Sequence, residues 1–304
     1  MKPLKNNPSS KRTYYGGQAV IEGVMMRGRK NMVTAVRRPS GGLALDIRPL
    51  AGIFTGRWRR FPLIRGIIVL IESLVLGIQV LLYSGNVALE EEKTELSGGT
   101  TWLIMGAGIL FAVALFFLAP LFLTRLINAY LGSSLVFNLV EGIIRMAIFV
   151  AYLKVVSLMP DIRRVYQYHG AEHKTVNAYE AGIPLDVASV RKHSTAHVRC
   201  GTSFLFTVMI IAIIIFSLVG RPALWLMVLS RILLVPVIAA LGYEVTHFAG
   251  KHTGNTLVRA ILAPGLWLQK LTTGEPDDSQ LEVAVTALNK VIELDNMEEA
   301  ATPS

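Results

Sequence analysis

The stretch Tyr168–Glu180, "YHGAEHKTVNAYE", packs two histidines and a glutamate into five residues of an otherwise apolar and basic chain. Residues four apart share one face of a helix, so His169 and His173 can close on a single ion with Glu172 beside them. Downstream, "HVRC" (His197–Cys200) offers an imidazole and a thiolate within about one helical turn. Together His169, His173, His197 and Cys200 make a chemically sensible tetrahedral set for a divalent transition metal, with zinc the natural occupant of such nitrogen and sulfur donors. All six histidines follow residue 168, and they fall into the pairs His169/His173, His193/His197 and His247/His252. For His247 and His252 plain hydrogen bonding is the simpler expectation.

H-x-x-E-H is also the inverzincin pattern, in which both histidines bind zinc and the glutamate, here Glu172, is the catalytic base. That pattern wants a further acidic ligand, and Glu244 in "GYEVTH" could supply it. Histidine pairs beside a membrane also resemble the di-iron sites of fatty-acid desaturases and hydroxylases. Those sites use more histidines, in denser boxes, than the six present here, and rank lower.

The 304-residue chain is 52% hydrophobic with a mean hydropathy of +0.49, too apolar for an ordinary soluble domain. Several runs approach the roughly 18 to 20 apolar residues that cross a bilayer. Trp102–Leu123 carries no charge, and Phe204–Leu218 and Ala223–Leu241 are separated by the helix-breaking "GRP" at Gly220–Pro222. Phe137–Met159 is long enough but contains Glu141, Arg145 and Lys154, while Arg65 and Glu72 interrupt Leu63–Tyr83. The first forty residues are polar, glycine-rich and basic, so no cleavable signal peptide is expected. Cys200 is the only cysteine, which excludes an internal disulfide framework.

Charge is unevenly spread. Residues 1–65 hold fourteen Lys/Arg against Glu22 and Asp46, whereas residues 271–304 hold Lys290 against eight acids. The basic excess places the N-terminal region in the cytoplasm, against anionic headgroups, and no nucleic-acid partner is expected. If Leu63–Tyr83 spans, the loop Asp161–Cys200 falls outside despite six Lys/Arg. If it is interfacial or re-entrant, four spans remain and that basic loop lies in the cytoplasm with both termini. The second arrangement satisfies the charge rule everywhere.

The expected fold is therefore a mainly α, polytopic cell-membrane protein with about four transmembrane helices, interfacial or re-entrant helices, and a small N-terminal β-rich module. Residues 1–62 form that basic module, with extended runs about "PSGG" and a glycine-spaced strand in "YYGGQAVIEGVMMRG". Residues 63–101 form the interfacial or re-entrant helix and an acidic loop, 102–159 two spans, 160–203 the His/Cys loop, and 204–243 two more spans. Residues 244–304 hold an interfacial segment broken by Pro264 and Gly265, then an amphipathic helix. Asp278 and Ser279 are its candidate caps, and Leu281, Val285, Leu288 and Ile292 share one face.

Four collinear motifs, "YGGQAVIEGVMMRG" (Tyr15–Gly28), "YHGAEHK" (Tyr168–Lys174), "HVRCGTSF" (His197–Phe204) and "PGLWLQKLTT" (Pro264–Thr273), resemble the bacterial YqhQ-like family. That family is a domain of unknown function, described in general terms as predicted metal-dependent membrane enzymes. By position the resemblance covers His169, Glu172, His173, His197, Arg199, Cys200 and Glu22, with an acidic tendency at Glu244. It does not require His193, His247 or His252, which counts against the di-iron reading.

Two functional classes follow. One is a metal-dependent membrane hydrolase with Glu172 as general base. The other is a non-enzymatic assembly or scaffold factor, whose metal or polar cluster shapes the loop as a docking face for a protein partner. Ligand count separates them, because four protein ligands close a structural zinc site and three leave a catalytic one open. Glu22 is expected to pair with the loop, with Arg199 as the candidate partner.

Overall fold

Residues 16–49 form four antiparallel strands, β1 (Gly16–Val20), β2 (Gly23–Arg27), β3 (Asn31–Arg37) and β4 (Leu43–Pro49), in the order β1-β2-β3-β4. This is a computed structural model, and it describes residues 14–90, 98–220, 222–252 and 254–301. The start of the basic stretch (1–13), the acidic residues 91–97 and Arg221 of the "GRP" break lie outside the described residues. The glycine-spaced motif expected as one strand is a hairpin. Val20 pairs with Gly23, and Glu22 in the turn adopts a left-handed φ of 53°.

Ten helices of eight or more residues follow among the described residues. They are α1 (Ile64–Ala88), α2 (Gly98–Val113), α3 (Ala119–Leu126), α4 (Ser134–Val156) and α5 (Pro160–Glu180), then α6 (Gly201–Val219), α7 (Leu224–Leu233), α8 (Val235–Lys251), α9 (Thr256–Gln269) and α10 (Asp278–Ala301). The protein is mainly helical with a small N-terminal sheet. Residues 160–180, expected within a loop, are helical. Pro160 starts a new helix there because its fixed φ suits a first turn.

Strand alternation builds a three-layer body. Val24, Met26, Val33 and Ala35 face α5 and α10, while Val20, Met25, Met32 and Val36 face α1. The C-terminal helix buries Leu281, Val285, Leu288 and Ile292 on the first face, as the spacing predicts. Its cap is Asp277, one residue before the expected pair. Asp277 Oδ1 accepts from the Gln280 N–H at 2.9 Å, and the Gln280 side chain accepts from the Asp277 N–H at 3.0 Å, a reciprocal capping box.

α1 is one unbroken helix of 25 residues, so residues 64–88 are not re-entrant. Ile68, Leu76, Val80 and Val87 pack on the sheet, a buried edge about 28 Å long. The two charges that interrupt the apolar run are both paired. Glu72 is buried and accepts from Arg27 Nε at 2.7 Å and from Arg59, and Arg65 pairs with Glu244.

Three helices are long and apolar enough to cross a membrane: Ile64–Ala88, Trp102–Leu126 (α2 and α3, continuous through a π-helical turn at Ala114–Leu118) and Gly201–Val219. Two bent pairs also qualify together, α4 with α5 (101°) and α7 with α8 (43°). Close approach within this bundle is built from small residues. A Cβ on Gly142 of α4 would meet Ile213 of α6 at 2.3 Å. α9 runs through Pro264 for 14 residues, and its Gly265 rests on the Ser203 side chain.

Candidate metal centre

α5 carries His169, Glu172 and His173 at helical spacing, and α6 begins at Gly201 with Cys200 as its N-cap. Cys200 Sγ accepts from the Thr202 N–H at 3.4 Å. The start of α6 lies against the middle of α5, and donor atoms of His169, His173 and Cys200 lie within 4.8 Å of one another. Cys200 Sγ is 3.4 Å from His169 Nε2, close to the edge of about 3.5 Å that a tetrahedral zinc site with one nitrogen and one sulfur ligand has.

Both rings are anchored through Nδ1 to a backbone carbonyl. His169 Nδ1 lies 2.8 Å from the Thr272 carbonyl, and His173 Nδ1 lies 2.5 Å from the Thr195 carbonyl. A carbonyl only accepts, so each Nδ1 donates to it, and Nε2 is the ring nitrogen left to face the cluster. Two imidazoles and a sulfur, with carbonyls behind both rings, form a donor set whose chemistry fits a transition metal ion.

Sequence reasoning missed the residues that hold this geometry. Gln269, fully buried at the end of α9, accepts from the His197 N–H (3.0 Å) and donates to the His197 carbonyl (2.8 Å) and Ser203 Oγ (2.6 Å). Thr272 Oγ1 meets Thr202 Oγ1 at 3.0 Å. The motif "PGLWLQKLTT" is thus the clamp for "HVRC", and an apolar-looking segment with one glutamine gave only its position. Gly170, between the two histidine turns, admits this clamp. A Cβ there would stand 2.0 Å from the Gly274 carbonyl.

Glu172 is buried, with Oε2 3.5 Å from His173 Nε2 and its Cγ against Gly17 of β1. A Cβ on Gly17 would be 3.1 Å from that Cγ and 2.3 Å from the Met25 carbonyl, so this glycine lets the sheet reach the site. His197 stands beside the three-donor set, not in it. Its ring centroid is 5.7 Å from that of His173. Its buried Nε2 has no hydrogen-bond partner among the described residues, with Glu180 Oε2 at 3.5 Å. Burial pushes the His197 pKa below the usual histidine range, against a smaller opposing pull from Glu172.

The remaining candidates lie elsewhere. Glu244 is taken by Arg65, with the Leu63 N–H donating at 3.1 Å, and it is not brought to the cluster, so it does not complete an inverzincin set. The N-terminal module does fold onto residues 161–200, but Glu22 pairs with Arg164 and accepts from Tyr168 at 3.3 Å. Arg199 instead pairs with Glu180, its guanidinium 4.5 Å above the Tyr14 ring. His247 and His252 stack on Tyr243 and Phe248, outside the cluster.

Sheet, apolar helices and a His/His/Cys cluster at their junction define the class, and sequence comparison gives the family. The chain belongs to the family described as protein of unknown function DUF1385, which matches residues 61–294. It is 34% identical over 303 residues, 94% of each chain, to "Uncharacterized protein YqhQ" of Bacillus subtilis (strain 168). No solved structure matches it.

Proposed function

We propose that this protein is a metal-dependent membrane enzyme of hydrolase type, with a divalent ion, zinc by preference, held by His169, His173 and Cys200. The observation that carries the reading is the convergence of three donors, with His197 left outside and Glu172 at the rim. Three protein ligands leave a coordination position open, the arrangement of catalytic zinc. When bound, such an ion supplies Lewis acidity toward a carbonyl or phosphoryl oxygen. Thr272 and Thr195 orient the two rings, Gln269 fixes the backbone of His197, and Glu172 takes and returns the proton at Oε2.

The topology we propose has four spans, α2–α3, α4, α6 and α7–α8, with both termini and the cluster on the cytoplasmic side. α1 lies flat at the interface in this reading. Were it to span, the sheet along its length would enter hydrocarbon with the outer edges of β1 and β4 unpaired. Exposed Trp58 and Phe61 beside Arg57 and Arg60 suit anionic headgroups at its start.

Elemental analysis of detergent-purified protein tests the site. Wild type should carry one equivalent of a transition metal and His173→Ala none, while Glu172→Gln keeps the metal and loses cellular function. Function retained by Glu172→Gln at normal metal content would refute the catalytic role. The orphaned Nε2 of His197 favours one second reading, a closed four-ligand structural site that shapes a docking face for a protein partner. In that case His197→Ala should lose metal as completely as His173→Ala. In the open site it should retain most of it.

A further inference from the structure

The apolar bundle buries a second polar cluster that the histidine site does not use. Glu141 of α4 is gripped by Arg145, one turn along the same helix, and by Arg231 of α7. Arg231 also donates to Asn138 Oδ1 at 3.2 Å, and Arg145 Nε donates at 3.0 Å to the Phe116 carbonyl within the π-helical turn. Phe216 of α6 lies against both guanidiniums, at 4.5 Å from Arg231 and 5.7 Å from Arg145. All three charged residues are buried.

Two guanidiniums here meet one carboxylate. A guanidinium keeps its proton in proteins, so at least one positive charge is left over, with no other acid in ion-pair contact among the described residues. Arg231 Nη1 is buried and has no hydrogen-bond partner among the described residues. An uncompensated charge in an apolar interior is costly, and charged residues within spans mark ligand or ion sites.

The cluster sits at the end of the bundle away from the histidines. Cys200 caps the start of α6, and Phe216 lies about 24 Å further along that helix. Asn138 Nδ2 donates at 3.1 Å to the carbonyl of Gly220, which caps its far end. At that same end a recess of about 170 Å³ opens between Arg125, Asn128, Pro222 and Leu224. Its inner wall is Phe137 and Met227, buried together and each one helical turn before Glu141 and Arg231 respectively.

We propose that Arg145 and Arg231 bind one singly charged anionic group inside the bundle, admitted from this recess past Phe137 and Met227. The excess charge sets the sign of the ligand, and the unpaired Nη1 sets a donor for one of its oxygens. The phosphodiester of an acidic phospholipid and the singly charged dihydrogen form of free phosphate share this chemistry.

Thermal unfolding of the detergent-purified full chain tests the site, titrated in one arm with inorganic phosphate at constant ionic strength. The other arm uses phosphatidylglycerol against phosphatidylcholine in mixed micelles. Wild type should be stabilised in a saturable way in one arm, which identifies the source. Arg231→Gln should weaken the apparent affinity at least tenfold. Glu141→Gln removes the competing carboxylate and should tighten it, an effect of opposite sign that a purely structural triad does not produce. Should Arg231→Gln fail to fold, Glu141→Gln decides alone. The proposal is overturned if neither probe stabilises wild type, if Arg231→Gln binds as wild type does, or if Glu141→Gln binds no tighter.

Discussion

The two halves of this molecule use the same apolar side chains in opposite senses. Around the sheet, Val24, Val33 and Leu288 are fully buried, each between a strand and a helix. Along α2, Trp102 and Leu110 are 72% and 69% exposed, and Leu218 at the end of α6 is 83% exposed. The first pattern makes a core in water. The second leaves apolar surface of an extent that is rare on soluble chains, and lipid would cover it in the topology proposed above. The polar groups invert likewise. At the histidine cluster backbone carbonyls satisfy the half-buried ring of His169 and the buried ring of His173, whereas Arg145 and Arg231 keep a surplus charge inside the bundle.

Breaking the water-facing half should give the largest effect. Val33→Asp buries an unpaired carboxylate against α5 and α10, and the expected loss exceeds about 4 kcal/mol. No protease-resistant sheet half should remain, and metal content should vanish with it, because β1 closes over Glu172 through Gly17. A folded, metal-loaded Val33→Asp protein would mean that the two layers do not depend on each other.

The matching change in the other half separates lipid from water directly. Leu110→Asp alters no buried contact, and in detergent it should leave folding and metal content unchanged. In a membrane-insertion assay it should disfavour residues 102–126 by about 2.5–3.5 kcal/mol, the penalty for an acidic residue at the centre of a span. Insertion equal to wild type would place that helix outside the bilayer.

How much of this was legible depended on the kind of signal. Heptad-like spacing announced the buried face of α10, and turn residues announced the sheet, because both are local consequences of side-chain period. The pairing of His169 with His173 came from the same helical arithmetic. The three-donor geometry did not, since whether His197 joins Cys200 depends on how Gln269 holds the His197 backbone. Glu22 was correctly assigned to the loop but to the wrong arginine. Arg164 takes Glu22, while Arg199 is held by Glu180 and the Tyr14 ring, and neither choice of partner is written in the spacing. Arg145 and Glu141 looked like interruptions of a span. Arg231, ninety residues from Glu141 along the chain, completes the cluster, and spacing carries no information about such a contact.

Between the halves, Gly170→Ala probes how the clamp reaches the site. Alanine is the better helix former, so α5 should persist. The new methyl collides with the Gly274 carbonyl and must push the 272–274 turn away, drawing the Thr272 carbonyl off His169 Nδ1. Metal affinity should fall roughly 10- to 100-fold, the usual effect of losing the group that orients a ligating ring, as measured by chelator competition. Unchanged affinity would show that the carbonyl does not orient the ring.

The smallest effect is expected at Asp277, and it sharpens the comparison by what it leaves alone. Asp277 accepts from the Gln280 N–H and from Ser279 Oγ at 2.6 Å, while the Gln280 side chain returns a bond to its backbone. Asp277→Ala removes the side-chain half of this box and should cost about 1 kcal/mol in denaturant unfolding of the sheet half. Asp277→Asn keeps an accepting oxygen and should lose only a few tenths. Neither should alter metal content, because the cap lies at the start of α10 and touches no donor. Yet Gln280 also donates to Gln167 of α5 at 3.3 Å, two residues before His169. If Asp277→Ala lowers metal content in parallel with stability, that contact carries strain from the cap into the site. The water-facing half would then behave as one cooperative unit that includes the metal centre.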